Sequence, residues 1–557
     1  MHRLQDELTQ AIANGMATRT LTTCSRWAAY RRVMGEPFPG PYSWKYHPWV
    51  KELHDSWAPF NYVMKGAQLG VTEVAINRAL YTLDKLKRDV LYVLPTTLNA
   101  NRFSKSRFVP ALNLSPYIRA MFTDINSINL KQTASNSLFI NGSRGDSNLK
   151  NVPASELILD EVDEMEQKQI WLALERLSGQ LHKHVWGIST PTVPDHGIHK
   201  LFKGSTQEHF VFRCPRCRRH TELVWPDCVE VVGEHATDVR CKQSFLKCKE
   251  CKGRLEHEAK PEFLSSGHWK SMAANANPEV RGFFINQLYS FTVTPGELVV
   301  AYFRGFGDEW AAKEFNNSKL GMPFIGDGAK VTDEMIERAL KSHSMDDLRP
   351  ARGGDRLITL GADQGQAVCH AVVCEWLFTS VPDKDISAAA ICKVLWAGKF
   401  PGEDWEFLDR LMCEWQVMYA VVDADPQINE ARRFARRFPG FVGLCRYRRN
   451  QVAKEVSISE EDTGAPMLTV DRTSWLSSSL GRFKSNPPRI WLPRDIPTEF
   501  QEHCKNLVRT LQRDEHGNPV AVYVETGPEH FAHALTYAEI ALPFAPQAIG
   551  QDIAKFM

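Results

Sequence analysis

The chain has no apolar run near the length, about 18–20 residues, that a membrane-crossing helix needs. Its opening stretch, MHRLQDELTQAIANG, lacks the apolar core of a secretory signal. Neither a membrane span nor a secretory leader is therefore expected. An excess of one charge is missing too. The 67 Lys and Arg against 66 Asp and Glu leave a net charge of +1, so any nucleic-acid contact must rest on a local basic surface. Internal repeats and long low-complexity tracts are absent, which speaks against a repeat array. The 13 cysteines do not form the dense framework of a secreted disulfide protein. Four fall in two C-x-x-C pairs, and others, such as Cys369, Cys374 and Cys392, sit inside apolar runs. That usage suits a reducing compartment and a metal site.

The 557 residues suffice for several domains at roughly 100–200 residues each. Residues 1–55 are rich in Trp, Tyr and Pro. From about 60 to 200, short β-rich runs (NYVM, DVLYVLP, SLFI, ELILD, VWGIST) alternate with helical stretches, the rhythm of an α/β domain with a mainly parallel sheet. Residues 208–258 turn Cys-, Lys- and Arg-rich, and 282–324 return to mixed helical sequence. The polar SHSMDDLRPARGGDR segment reads as a linker, placed at 346–356 between a domain over 56–345 and another over 357–557. The second α/β pattern comprises LITLGADQG, HAVVCEWLF, ICKVLWAGKF, MYAVVDAD, RIWLP and AVYVET.

The usual phosphate loop, G-x-x-x-x-G-K-[ST], has its Lys immediately before the Thr. Here, in NYVMKGAQLGVTE, that position is Val71, and a lysine stands instead at Lys65, at the other end of the loop formed by Gly66 to Gly70, with Thr72 following. Backbone N–H groups in a glycine turn at a helix start cradle phosphate oxygens, a Lys adds point charge, and a Thr hydroxyl binds Mg2+. A Lys side chain can reach a phosphate from either end of so short a loop. Taken alone, the stretch also reads as an ordinary strand–turn–helix. Two further strand ends favour an ATPase. ELILDEVDEM ends a buried strand in Asp160-Glu161, residues suited to holding Mg2+ and polarising water, and VWGISTPT ends another in Ser189-Thr190, where hydroxyls can sense the γ-phosphate.

The shifted lysine of KGAQLGVTE, the LILDEVDEM and GISTPT strands, and the segments GFFINQLYSF and EFNNSKLGMPF together resemble the large terminase subunit of tailed phages, in its lambda-type, gpA-like branch. The resemblance spans roughly residues 25–545. It implies a P-loop ATPase of the ASCE type followed by a ribonuclease-H-like nuclease. Such a machine is an ATP-driven motor that moves double-stranded viral DNA into a procapsid and cuts concatemeric genomes. It further implies that Lys65, Gly66, Gly70, Val71 and Thr72 bind ATP, that Asp160 holds Mg2+, that Glu161 activates water, and that Ser189 and Thr190 couple hydrolysis to motion. An arginine finger is expected, with Arg144 the first choice and Arg102 and Arg107 competing. The implied partners are viral DNA, a small terminase subunit, the portal protein of the procapsid and further copies in a packaging ring. The implied location is the host cytoplasm, docked transiently on the procapsid.

Cys214-Pro-Arg-Cys217 and Cys248-Lys-Glu-Cys251 have knuckle spacing, and four thiolates suit a closed, structural Zn2+ site. Cys228 and Cys241 lie between the pairs and are alternative ligands. The insert carries Arg213, Arg216, Arg218, Arg219, Lys247, Lys249, Lys252 and Arg254, either a solvated ribbon or a contact to DNA phosphates.

In the second domain, LITLGADQG ends a strand at Asp363, and MYAVVDADP ends one at Asp423, with Asp425 as helper. A ribonuclease-H-like nuclease brings strand-end carboxylates onto two Mg2+ or Mn2+ ions about 4 Å apart. The resemblance supports Asp363 and Asp423 as ligands and implies a third acid in a pattern like H-x-x-D-x-x-x-Y. In EHFAHALTYAEIAL, His530 and Tyr537 align, but the Asp position is His533, which is expected to coordinate metal itself, with Glu529 as the substitute. Arg446, Arg448 and Arg449 of CRYRRNQ, the basic RRFARRF stretch and Lys484 are candidate phosphate contacts. Two other readings share some of these features. A helicase or restriction translocase would need a second phosphate loop, which residues 357–425 do not show. A zinc-bearing DNA-binding protein with a degenerate ATPase fold would explain Val71.

Overall fold

The computed structural model describes residues 21–124, 127–144, 149, 152–348, 356–378, 387, 390–448, 456–460, 465–513 and 518–545. The chain forms two compact units, Met1–Phe324 and Ile325–Met557. The division falls some twenty residues ahead of the expected linker. The cause is the helix Asp333–Ala339, whose Val331, Ile336 and Ala339 neighbourhood joins the core of the second unit.

The first unit is built on a sheet with seven parallel strands: β1 (Phe60–Lys65), β2 (Val90–Leu94), β3 (Ser137–Gly142), β4 (Glu156–Asp160), β5 (His184–Ser189), β6 (Glu208–Arg213) and β7 (Val280–Ile285). Their order is β6-β7-β1-β5-β4-β2-β3. Strands β2 and β4 are buried at every position, as expected of a parallel sheet covered on both faces. Short antiparallel strands, Leu130–Thr133 and Phe122–Asp124, extend the β3 edge. Strand β7 lies in the stretch read from sequence as mixed helical; it pairs in parallel with β1 over its whole length. The N-terminal aromatic segment belongs to this unit: Trp27 and Trp49 are fully buried in its core.

The second unit has an eight-stranded sheet. Its central members are β8 (Ile358–Asp363), β9 (Val368–Phe378), β10 (Ala390–Pro401), β11 (Tyr419–Asp423) and β12 (Val442–Arg448), in the order β10-β9-β8-β11-β12. The first three are antiparallel, while β11 and β12 run parallel to β8. This is the ribonuclease-H-like arrangement expected from the sequence. The AVYVET run does not enter that sheet; it pairs with Leu507–Arg513 as a separate hairpin. A buried helix, α1 (His530–Ala541), crosses β8 so closely that a Cβ on Gly361 would overlap the backbone of Ala534 and Ala538.

Candidate functional sites

Strands β1, β5 and β4 end side by side. Met64 pairs with Ser189, and Asp160 with Ile188, so the strand bearing Ser189 lies between the one ending in Lys65 and the one ending in Asp160. This interposed strand is the ASCE arrangement. After Lys65 the chain turns through Gln68 (φ 58°) and Gly70 (φ 77°) into the helix Val71–Tyr81. The loop is held from outside by backbone bonds. The N–H groups of Gly66 and Ala67 donate to the carbonyls of Ile285 (2.9 Å) and Ser318 (2.7 Å). Gln287 Nε2 donates to the Ala67 carbonyl (2.8 Å), and Trp49 Nε1 to that of Leu69 (2.9 Å). The segments GFFINQLYSF and EFNNSKLGMPF thus act as the loop's clamp. Val71 is 1% exposed and packs into the apolar core, so a lysine there would point away from the loop. Lys65 is buried and its Nζ lies 4.0 Å from Glu161. Thr72 is half-buried in the first helical turn.

Asp160 is 3% exposed. Tyr92 donates to its Oδ2 (2.6 Å), while Oδ1 is buried with no hydrogen-bond partner. Burial and the neighbouring Glu161 raise its carboxyl to about 6, against the pull of Tyr92, Lys65 and Arg107. A buried carboxylate oxygen without a donor fits a metal ligand. Glu161 sits in the left-handed region (φ 64°), its N–H bonded to Ile188 and its side chain 44% exposed. A non-glycine residue held there is unusual and occurs where geometry is imposed by the surroundings.

Ser189 is fully buried and accepts from the Asp163 N–H (3.1 Å), while Thr190 is half-buried. Asp163, which the sequence reading passed over, accepts from the N–H and hydroxyl of Thr192 (2.7 and 2.8 Å) and the N–H of Ile198 (2.7 Å). It ties the acidic strand end to the Ser189-Thr190 strand. Of the arginine candidates, Arg107 bonds Glu73 on the loop helix (3.0 Å) and acts on Asp160. Arg144 is exposed and acts on Glu164, and Arg102 is exposed with its carbonyl taken by Ser106.

In the second unit, Ala362 pairs with Val422, so Asp363 and Asp423 end adjacent parallel strands. Burial and Asp363 raise Asp423 to about 7. Asp363 is likewise raised by burial, while His530 Nδ1, 2.8 Å from Oδ2, opposes the shift. Glu529 is pushed up to about 7 by burial and Glu525, with Asp363 contributing. A buried Asp363 whose charge makes the neighbouring Asp423 costlier to ionise suits a divalent cation. Asp425 instead makes a two-pronged ion pair with Arg446 (2.8 and 3.1 Å).

His533, expected as a metal ligand, has other side chains at both ring nitrogens. Arg472 Nη2 donates to its Nε2 (3.4 Å), and its Nδ1 faces the Tyr447 hydroxyl (3.2 Å). Both nitrogens are thus engaged, and a guanidinium beside the ring repels a metal cation. Among the described residues, the ligand atoms grouped with Asp363 belong to His370 and His530, and His533 is not one of them.

A family profile described as "Phage terminase large subunit gpA, ATPase domain" matches residues 36–269. Residues 36–269 carry the gpA-family terminase ATPase domain. The fold agrees over nearly the whole length. The crystal structure of the bacteriophage HK97 large terminase matches with a TM-score of 0.50 at 10% identity, covering 93% of this chain and 98% of that one. The large terminase of the thermophilic bacteriophage D6E in complex with ADP matches at 10% identity and TM-score 0.28, covering 86% and 93%. The large terminase nuclease of thermophilic phage G20c matches at 15% identity and TM-score 0.21, covering 37% and 94%. A comparison with curated protein sequences gave no match. No described helix is long and apolar enough to cross a membrane.

The cysteine-rich insert of the first unit follows β6. Cys214, Cys217, Cys248 and Cys251 bring their sulfurs within 4.8 Å of one another, a donor set that fits one tetrahedral Zn2+. The two knuckles repeat one geometry: Arg218 (φ 63°) donates its N–H to the Cys214 carbonyl, and Lys252 (φ 57°) to that of Cys248. Cys228 and Cys241 instead face the carbonyls of Glu222 and His235. Lys247, Lys249 and Arg254 are paired with Glu230, Glu222 and Glu256, whereas Arg213, Arg216, Arg218, Arg219 and Lys252 are exposed around the knuckles. In the nuclease-type unit, Arg448 is exposed, Arg446 is held by Asp425, and Lys484 is half-buried, its ammonium lowered to about 8 by burial and Arg509. Arg449 lies outside the described residues. The RRFARRF helix buries Phe434 and Ala435 and pairs Arg433 with Glu430 and Arg437 with Asp409, the pattern of a solvated basic face.

Proposed function

We propose that this terminase drives double-stranded viral DNA into a procapsid by hydrolysing ATP, and cuts concatemeric DNA with its second unit. The convergence of Lys65, Asp160 and Glu161 at neighbouring strand ends, with one Asp160 oxygen buried and unpartnered, carries the reading. In it, Lys65 and the loop N–H groups of Gln68 to Thr72 hold the phosphates, and Asp160 with Thr72 would hold Mg2+, which would supply charge at the transferred phosphate. Glu161 orients water. Ser189 and Thr190 carry the change in phosphate state to Asp163 and the Thr192 turn. Arg107 is the better-placed phosphate sensor within this chain, and Arg144 suits an exposed finger.

In the second unit, Asp363 and Asp423 hold the nuclease metal, with Glu529 in the place expected of His533. The four cysteines would hold Zn2+, which would fold an insert too small for a core of its own, and the exposed arginines around it, with Arg448 and Lys484 of the second unit, contact DNA phosphates. A small terminase subunit, the portal and further copies in a ring complete the machine, which works in the host cytoplasm. Glu161→Gln tests the assignment. The variant should lose at least about 100-fold in ATP turnover and keep its affinity for ATP. Loss of nucleotide binding, or near-normal turnover, would refute the water-orienting role.

A further inference from the structure

The nuclease-type unit holds a histidine cluster that the carboxylate reading does not use. Asp363, the last residue of β8, pairs directly across the antiparallel ladder with His370 on β9. Directly opposed residues of such a pair place their side chains on the same face, close together. His530, the first residue of α1, closes over them, and the ligand atoms of all three residues lie within 4.8 Å of one another. The rings of His370 and His530 are stacked, 4.8 Å apart and 14° from parallel.

His370 is 5% exposed, and neither of its ring nitrogens has a hydrogen-bond partner. The nearest carboxylate oxygen recorded for it, on Glu499, lies 3.8 Å from Nε2, beyond hydrogen-bonding range, and Glu499 is itself held by Lys399 at 2.6 Å. His503 does not compete for the place, because its Nδ1 accepts the N–H of Phe531 (3.2 Å). A buried imidazole with both nitrogens idle is costly, and native structures rarely leave one unexplained.

We infer that Asp363, His370 and His530 form a binding site for a divalent first-row transition ion, with Asp363 shared between this ion and the carboxylate site of Asp423. The existing spacing suits an ion. Two ligand atoms each about 2.1 Å from a metal and at right angles stand about 3.0 Å apart, and His530 Nδ1 already lies 2.8 Å from Asp363 Oδ2. Two imidazoles and one carboxylate select Mn2+, Fe2+ or Zn2+ over Mg2+, which prefers oxygen and keeps its waters. Two of the three ligands stand on paired strands, which fixes their separation without help from a loop.

The inference refines the nuclease reading, but its test reads the metal and not cleavage. The full chain is titrated with Mn2+, and pulsed electron paramagnetic resonance records nitrogen coupled to the bound ion. The cysteine site offers sulfur ligands and gives no imidazole signal. Directly bound imidazole nitrogen is expected in the parent. His370→Ala and His530→Ala should each diminish that signal and weaken Mn2+ binding at least about tenfold, and His533→Ala should change neither. Bound Mn2+ without imidazole coupling in the parent protein would overturn the site, whatever the cleavage activity. So would a His370→Ala protein of unchanged thermal unfolding that keeps the parent's full nitrogen signal. Intact coupling in a protein that cuts DNA with no metal would leave this site standing and refute the nuclease reading alone.

Discussion

Lys260 ties the stability of the first unit to pH. It is 1% exposed, its ammonium donates to the Ser290 carbonyl (2.5 Å), and burial lowers it to about 7, with Glu258 opposing. An unfolded lysine stays protonated to about 10.4. Between about pH 7 and pH 10 the unfolded chain therefore binds more protons than the native one, and this residue's contribution to stability rises with pH. At pH 7 and below, the buried charge costs the fold about 4–5 kcal/mol. Lys260→Met should raise the unfolding temperature of the first unit at pH 7, with the gain shrinking toward pH 10. Calorimetry of the two proteins across that range checks it; a pH-independent difference would contradict the burial argument. At this scale the sequence was informative about strand-end residues and poor about their partners. Asp160, Glu161, Asp363 and Asp423 stand where alternation into acidic strand ends placed them. The neighbour of His533 was not legible from its motif, because Arg472, which faces its Nε2, lies 61 residues away. The pairing of Asp363 with His370 was within reach of the sequence, since a short polar turn, QGQA, joins their strands.

Among the elements, the phosphate loop depends on segments far along the chain. Gly321 has φ 64°, and a Cβ there would stand 2.6 Å from the Gly66 nitrogen and 2.8 Å from the Lys65 carbonyl carbon. Gly321→Ala combines a left-handed backbone penalty of about 1 kcal/mol with a push on the loop's first residues. ATP affinity should fall at least about tenfold while unfolding of the second unit stays unchanged. Binding of a fluorescent ATP analogue measures this, and unaltered affinity would show that the clamp is dispensable. The clamp also explains an error of reading. Strand β7 reads as mixed helical sequence because its six residues stand shortly before the helix Pro295–Arg304. What makes it a strand is parallel pairing with β1, some 220 residues earlier, which local pattern does not carry. AVYVET showed its β character but not its partner, and the separate hairpin with Leu507–Arg513 follows from pairing with its immediate neighbour in sequence. The two cysteine knuckles, by contrast, were fully legible, because ligand type and spacing are set locally.

For the molecule as a whole, the sequence disclosed the order of the two α/β units, and the compact units divide some twenty residues ahead of the polar segment. Polarity in 342–356 marks a loop, while the helix Asp333–Ala339 is drawn to the second unit by its apolar face, a contact that composition does not reveal. The two catalytic constellations lie in different compact units, each with its own sheet, so their chemistries should be separable by mutation. The central claim is that Lys65, displaced to the front of the loop, performs the phosphate-binding task that Val71 cannot. The most direct test measures DNA-stimulated ATP turnover and metal-dependent DNA cleavage side by side in the parent, Lys65→Ala and Asp363→Asn. Lys65→Ala should lose at least about 100-fold in ATP turnover and still cut DNA, and Asp363→Asn should do the reverse. Near-parental ATP turnover in a folded Lys65→Ala protein would contradict the account.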